Sequence, residues 1–307
     1  MTVKRRRHGG AGEFLAGGLL FCLLALVAFF GPRFAPFSPD FSESIRRVTV
    51  EGETRLIFAP EAPGPRHPLG TDMWGYDLLT LLLYGARYTL LACFAVAVLR
   101  LALGLLFGMT AGLRRPPTRR LESLGGIPAF VLLIFIFHGL TINSSLPVSR
   151  LFAFQVVCIA LVGLPGVIVP VQSRTFYLAR AEYVEAARSL GVGSLRILRR
   201  HIFPHLRADC LSLFVTEMIH ALNLIGQLGI FYIFLGGTIL TESPPLLHSV
   251  THEWAGLVGQ LRTKISSDPW LLFIPLSAYV LVLMSFQLIS QGLDKHYEKK
   301  YARTPYV

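Results

Sequence analysis

Three ionisable residues stand inside long apolar stretches of this sequence. Arg100 falls near the middle of one stretch, and Glu217 and His220 fall in another, one turn apart on the same helix face. A charge at the centre of a bilayer costs at least ~2.5–3.5 kcal/mol, so Arg100 should meet a partner or water. We predict that Arg100 pairs with Glu217. The pair would either line a solute pathway or form a buried structural contact against another membrane subunit.

Motifs for catalysis are missing from the sequence. It has no phosphate-binding Gly-x-x-x-x-Gly-Lys-Ser/Thr loop, no His-Glu-x-x-His and no Gly-x-Ser-x-Gly elbow. The four cysteines lie in or beside apolar segments, without the spacing of a zinc site or a disulfide framework. We expect a chain that is not an enzyme and binds no metal and no cofactor.

The composition is that of a membrane protein. Of the 307 residues, 53% are hydrophobic and only 15% are charged, and apolar runs long enough to cross a bilayer recur. We expect an all-α, polytopic fold with six transmembrane helices. Their predicted ranges are 13–31, 88–112, 125–142, 151–172, 209–237 and 270–290.

The placement of Lys and Arg predicts the orientation of the spans. Nineteen of the 29 basic residues lie in the segments 1–12, 113–124, 173–208 and 291–307. Because cytoplasmic loops carry an excess of Lys and Arg, both termini should be cytoplasmic. The net charge of +11 then reflects topology, and nucleic-acid binding is not expected. The first span lacks a small-x-small cleavage site, which favours a retained signal anchor over a cleaved signal peptide.

Residues 32–87 form the one sizeable extracytoplasmic loop of this topology. Val48–Val50 and Leu56–Phe58 are predicted β-strands, with a turn at Glu51-Gly52-Glu53. The loop is either a solvated lid or a docking surface for an external partner. Its end leads into an amphipathic stretch with leucines at helical spacing. These leucines are Leu78, Leu79, Leu82 and Leu83.

A charged segment, Glu182–Leu206, separates two strongly apolar stretches. We predict one helix over residues 178–190, ended by Gly191 in a left-handed conformation, and a second helix capped by Ser194. Pro204 should bend or stop the second helix. The result would be two short helices at a fixed angle, the first with an apolar stripe. The stripe consists of Tyr183, Ala187 and Leu190.

The pattern of the charged segment leaves three interpretations open. A DNA-reading helix-turn-helix has similar spacing, but a tether between two spans leaves little freedom to meet a duplex. A surface-lying amphipathic segment is the simplest structural alternative. The third is a coupling element that fits a cleft on a soluble motor subunit.

Two segments resemble those of dipeptide and oligopeptide permeases from ATP-binding-cassette importers. The charged segment is similar to their signature loop, with Glu-Ala-Ala, then Gly, then His-Ile-Phe-Pro. Residues 67–87, here named the pre-helix motif, are similar to the segment before their second span, although Tyr76 replaces the usual arginine. The site residues of the signature loop are Glu182, Tyr183, Glu185, Ala186, Ala187, Leu190, Gly191, Ser194, Ile202 and Pro204. Those of the pre-helix motif are His67, Gly70, Thr71, Asp72, Gly75, Asp77, Tyr84, Gly85 and Arg87.

The resemblance implies the type I importer architecture in a bacterial inner membrane. It implies a second, related permease subunit, two cytoplasmic ATPase subunits that hold ATP and magnesium, and an extracytoplasmic substrate-binding protein. The cargo would be short peptides. Nickel or another small solute is the alternative within the family, and an autonomous secondary transporter is the alternative outside it. We see no internal repeat, and the one midplane acid is not at a predicted helix break.

The chain then divides into four regions. The cytoplasmic N-terminus and first helix occupy residues 1–31, and the outer loop with the pre-helix motif occupies 32–87. The permease core covers 88–292, with the coupling loop at 173–208, and a cytoplasmic tail covers 293–307.

Overall fold

The computed structural model describes residues 10–50, 53–116, 127–242 and 245–303. It is mostly helical and carries two small antiparallel hairpins. In chain order the elements are α1 (Ala11–Phe34), β1 (Ile45–Val50), β2 (Glu53–Phe58), α2 (Leu78–Gly112), α3 (Ala129–Thr141), α4 (Val148–Gly163), α5 (Pro165–Leu178), α6 (Glu182–Ser189), α7 (Ser194–Ile197), α8 (Phe203–Ile230), β3 (Thr238–Glu242), β4 (Pro245–Ser249), α9 (Trp254–Leu261) and α10 (Pro269–Arg303). A π-helical segment, Leu198–Ile202, joins α7 to α8.

Four helices in the described ranges are long and apolar enough to cross a membrane, namely α1, α2, α8 and α10. Helices α4 and α5 qualify together as a fifth span that is bent by 44°. The 13 residues of α3 cover about 20 Å, less than a hydrocarbon core of about 30 Å. The third predicted span, 125–142, corresponds to α3, and its first two residues lie outside the described ranges. Six spans therefore stay a prediction.

One span begins, and another ends, at a different residue from the one predicted. Helix α2 begins at Leu78 rather than at residue 88, because Asp77 caps it and the amphipathic leucines continue the span. Helix α8 ends at Ile230 rather than at residue 237, and the chain then turns with a positive φ at Tyr232. The end of α8 was missed because apolar residues continue past a local turn, and the start of α2 was missed because its first leucines were read as an amphipathic stretch outside the span.

The main apolar core lies where α2 meets α8, α9 and α10. A second close contact, between α2 and α5, depends on glycines at four-residue spacing. A Cβ atom at Gly104, Gly108 or Gly112 would overlap side chains of α5. Small residues let membrane helices approach closely, so this ridge seats the bent span against α2.

The bend between α4 and α5 has a local cause. Pro165 has no N–H group, so the carbonyl of Leu161 loses its helical donor and accepts from the Leu164 N–H at 3.2 Å. The sequence predicted one straight span over 151–172. The structure instead places a break near its middle.

The charged segment differs from the prediction in three places. Helix α6 begins at Glu182, because the chain turns after α5, so the helix predicted over 178–190 is shorter. Ser194 is the first residue of α7 and caps nothing, since Gly193 occupies the cap position and no side-chain bond forms there. Pro204 does not stop the second helix. It lies in the first turn of α8, where its missing N–H is not needed.

The predicted outer hairpin is present and longer than expected. Strands β1 and β2 pair from Ile45 opposite Phe58 to Val50 opposite Glu53. Glu53 therefore belongs to β2, and the other two residues of the predicted turn lie outside the described ranges. A second hairpin, β3–β4, was not predicted. The all-α expectation is thus corrected to a mostly helical fold.

Candidate functional site

Arg100 and Glu217 form the ion pair that the sequence predicted. Arg100 Nη1 donates to Glu217 Oε2 at 2.8 Å, and Nη2 donates to the carbonyl of Ile159 at 2.8 Å. Each of the two charged side chains is only 2% exposed. The arginine therefore ties α2 to α4 and α8 inside the apolar interior. Whether the pair lines a pathway stays a prediction.

The ion pair lies beside the bend in the fourth span. A Cβ atom at Gly163 would overlap the Arg100 guanidinium, and one at Gly166 would lie 3.9 Å from Glu217 Oε1. Gly163 therefore leaves the space that the guanidinium occupies, and Gly166 lies in ordinary contact distance of the carboxylate. The expectation that the buried acid lies away from any broken helix was wrong. Pro165 breaks a run that looks continuous in hydropathy.

His220 contacts the same carboxylate from the solvent side. Its Nδ1 lies 3.3 Å from Glu217 Oε1, and its side chain is 55% exposed. Glu217 thus holds Arg100 with one oxygen and His220 with the other. The rest of the histidine ring is open to whatever fills the space beside α8.

The joint of the charged segment has the geometry of a Schellman cap. Gly191 has a φ of +80°, as predicted. Its N–H donates to Arg188 at 2.9 Å, and the Val192 N–H donates to Ala187 at 3.1 Å. These bonds satisfy the last carbonyls of α6 and fix the angle between α6 and α7.

One apolar cluster attaches the charged segment to the spans. Val184 of α6 and Ile202 of the π-helical segment are fully buried against Val167 and Val171 of α5. This cluster is separate from the main core. Because α6 and the π-helical segment are buried in the same cluster as α5, the three elements must move together.

The other face of the charged segment is exposed and has an unusual composition. Leu190 is 85% exposed and Leu195 is 69% exposed, beside the half-exposed ring of Tyr183. Four arginines of the segment, Arg188, Arg196, Arg199 and Arg200, are exposed as well, and Leu195 shares a cavity of about 350 Å³ with the last three. The predicted residues separate into an exposed and a buried group. Ile202 is buried and Ala187 half-buried, while Glu182, Tyr183, Glu185, Ala186, Leu190, Gly191, Ser194 and Pro204 are exposed.

The pre-helix motif is, by contrast, closed on itself. Asp77 caps α2 by accepting from the backbone N–H of Thr80 at 2.8 Å and from its hydroxyl at 2.7 Å. The other Asp77 oxygen lies 2.9 Å from His67 Nδ1. All three side chains are buried. Most of the motif is therefore a structural network, whereas Arg87 is exposed and stacks over Tyr84.

Asp72 organises the turn in the middle of this motif. Its Oδ1 accepts from the N–H groups of Trp74 and Tyr76, each at 2.9 Å. Burial raises the pKa of Asp72 to about 7, although these hydrogen bonds oppose the shift. Gly70 and Gly75 have φ values of 80° and 86°, which only glycine adopts freely. Tyr76, at the position where the resemblance led us to expect arginine, packs against His252.

A second polar network, which we did not predict from the sequence, lies where α9 inserts between the spans. Trp254 donates from Nε1 to the carbonyl of Leu82 at 2.9 Å, and Glu253 caps α9 by accepting from the Gly256 N–H at 2.8 Å. Gln155 of α4 accepts from the Gly236 N–H at 2.7 Å. Burial raises the pKa of Glu253 to about 7. The sequence signal was a glutamine within an apolar span.

No group of three or more metal-ligating side chains occurs in the described part of the chain. The arrangement offers an exposed joint, a buried ion pair and two structural networks. The Thr80 hydroxyl donates to the Asp77 carboxylate in one of these networks, and both side chains are buried.

Three relatives of this chain among known proteins are all named as transport system permease proteins. The chain is 30% identical over 286 residues to the di/tripeptide transport system permease protein DppC of Pseudomonas aeruginosa, covering 90% of this chain and 85% of the relative. It is 25% identical over 287 residues to the oligopeptide transport system permease protein OppC of Bacillus subtilis, covering 91% and 83%. It is also 25% identical over 281 residues to the glutathione transport system permease protein GsiD of Pectobacterium atrosepticum, covering 91% and 84%.

A family model matches the region of the chain that contains Glu217, the bent span and the charged segment. Residues 101–303, about two thirds of the chain, match the family described as the binding-protein-dependent transport system inner membrane component. The chain belongs to this family of transport permeases.

Proposed function

We propose that this chain is a transmembrane permease subunit of an ATP-driven importer that translocates short peptides delivered by an extracytoplasmic binding protein. The observation that carries the proposal is the charged segment. It presents two strongly exposed leucines and four exposed arginines on either side of the Gly191 joint. A soluble partner that covers this face would bury apolar surface and meet fixed positive charge.

The contacts of the charged segment explain how a partner could drive the spans. Val184 and Ile202 pack on α5, and α8 continues directly from the π-helical segment. A push on α6 is therefore transmitted to α5 and α8 together. The Arg100–Glu217 pair lies beside the bend between α4 and α5. It would therefore keep α5 and α8 in a fixed relative position as they move.

The relatives support peptides as the cargo class. Those described above are named for di/tripeptides, oligopeptides and glutathione. Nickel or another small solute, the alternative within the family, has no support among these names. An autonomous secondary transporter is also disfavoured by membership of a binding-protein-dependent family.

We also propose the orientation of the chain in the membrane, its number of spans and its partner subunits. We place both termini in the cytoplasm, count α3 as a sixth, short span, and expect a heterodimer with a second permease. Two ATPase subunits would bind the charged segments inside. The binding protein would dock on the opposite side, where β1–β2 and the pre-helix motif lie.

The proposal is tested by purifying the tagged chain from its native membranes. We expect ATP-binding-cassette subunits to co-purify, identified by mass spectrometry, and the complex to hydrolyse ATP. Replacing Leu190 and Leu195 together by alanine should lower the amount of bound ATPase about 10-fold or more, since central apolar anchors dominate interface energies. The level of the chain in the membrane should not change.

A matched control removes two leucines from a lipid-facing surface. Leu15 and Leu19 on α1 are 62% and 72% exposed, and their double alanine variant should keep full ATPase binding. Equal loss in both double variants would contradict a specific docking face. Peptide uptake by the purified chain alone in vesicles would contradict the proposal as a whole.

A further inference from the structure

One face of α8 carries polar residues along the C-terminal half of the helix. Thr216, His220, Asn223 and Gln227 follow one another at spacings of four, three and four residues. At 3.6 residues per turn they fall within roughly 60° of arc, so they form a single stripe. We name this stripe the polar face of α8.

The polar face is open, and two of its side chains have no hydrogen-bond partner among the described residues. His220, Asn223 and Gln227 are exposed and Thr216 is half-buried. In the described part of the chain, the side chains of Asn223 and Gln227 make no hydrogen bond. Helix α1, by contrast, exposes leucines and phenylalanines along the same depth. Amide groups without partners are unfavourable against lipid, so the polar face must meet water, solute or protein.

A cavity lies beside the other end of α8. This cavity of about 570 Å³ is lined by Cys210, Leu213 and Asp209 of α8 and by Pro170 and Arg174 of α5, among others. Arg174 Nε lies 3.7 Å from Asp209 Oδ2. Together the cavity and the polar face extend from Leu206 to Gln227, about 31 Å along the helix, which matches a hydrocarbon core of about 30 Å.

We propose that the polar face of α8 is the surface on which this chain binds the backbone of the transported peptide. The inference rests on the proposed function and assigns it a contact surface. The unpartnered amides of Asn223 and Gln227 each offer a donor and an acceptor, as a peptide backbone does, and coverage of this face by a second permease is the outcome that would overturn the inference.

The chemistry of the polar face suits a peptide backbone of any sequence. Asn223 and Gln227 each offer a donor and an acceptor, as a backbone does. When His220 Nδ1 carries its proton and donates to Glu217, the other nitrogen of the exposed ring is an acceptor. The polar face is about 16 Å long, and an extended peptide of three to five residues measures about 10–17 Å. Neutral groups would bind the backbone without selecting side chains.

The test uses the complete importer in proteoliposomes, with the four native cysteines replaced by alanine. Asn223→Cys and Gln227→Cys should react with a membrane-impermeant methanethiosulfonate reagent, and trialanine delivered by the binding protein should slow the reaction at least 5-fold. Val98→Cys on the exposed apolar side of α2 is the matched control. It should not react.

A second variant separates binding from folding. Replacing Asn223 and Gln227 together by leucine makes the face suitable for lipid, so the chain should insert and bind its ATPases normally while trialanine uptake falls at least 10-fold. Normal uptake would overturn the inference. So would cysteines that react in the isolated chain but not in the importer, because a second permease would then cover the face. Failure to bind ATPases in the unmodified chain would instead contradict the proposed function.

Discussion

The charged segment and the pre-helix motif carry the two strongest sequence signatures of this chain, yet they are built in opposite ways. In the pre-helix motif, His67, Asp72 and Asp77 are buried and bonded within the motif. In the charged segment, Leu190 and Leu195 are exposed to solvent and only the side facing the spans is buried. The contrast separates a motif that stabilises its own chain from one that presents a surface.

The difference also predicts how each region responds to change. A buried polar network loses several hydrogen bonds when one member is removed, so damage appears as loss of the folded protein. An exposed joint can be altered without loss of stability, so damage appears only when the partner is present. Three substitutions test this contrast.

The largest effect is expected for Asp77→Ala. This change removes the cap of α2, leaves His67 without its buried partner and frees the Thr80 N–H and hydroxyl. Breaking such a buried pair costs about 3–5 kcal/mol. We expect a large drop in the amount of folded chain in the membrane, measured by size-exclusion chromatography after extraction. Asp40→Ala, an exposed carboxylate in the same outer loop, should have no effect. Normal levels of Asp77→Ala would show that the network is not structural.

An intermediate effect, confined to the assembled complex, is expected for Gly191→Val. A side chain at Gly191 meets no atom within 4 Å, so its only penalty is the left-handed backbone, about 1–2 kcal/mol. The joint should relax and ATPase-coupled uptake should fall, while the chain stays folded.

Gly193→Val is a matched control for this change. Gly193 lies two residues away, also has no atom within 4 Å, and has a φ of −67° that valine adopts without strain. It should transport normally. Equal behaviour of the two valine variants would contradict a role for the joint angle.

The smallest effect is a pH dependence of stability at the outer networks. The folded-state pKa values of Asp72 and Glu253, both about 7, lie above the ordinary 3.8 and 4.5. The stabilising contribution of such groups is complete below the ordinary values and is lost as the pH rises through about 7. His252, whose pKa burial lowers to about 4, adds little above pH 6.5.

We therefore expect the melting temperature of the purified chain to fall between pH 6.5 and 8. Each carboxyl should contribute on the order of 1 kcal/mol. Asp72→Asn keeps the acceptor for Trp74 and Tyr76 but cannot ionise, so it should roughly halve the slope. An unchanged slope in this variant would assign the pH dependence to other groups.

The sequence by itself determined the features that depend on local chemistry. Runs of apolar residues indicate the spans, and Gly191 predicts the left-handed joint because few other residues adopt its φ. The pairing of Arg100 with Glu217 was also predictable, since a charge in a bilayer must find a partner. The resemblance of two motifs led to the family that the comparison then identified.

Only the tertiary structure decided what depends on residues distant in sequence. It placed the break at Pro165 beside the ion pair, joined the charged segment to α5 and α8 through one cluster, and inserted α9 against α2. It also showed that one polar stripe of α8 is open while the opposite side is buried. Hydropathy sums over a window and cannot tell which face of a helix is covered, because that depends on which other helices pack against it.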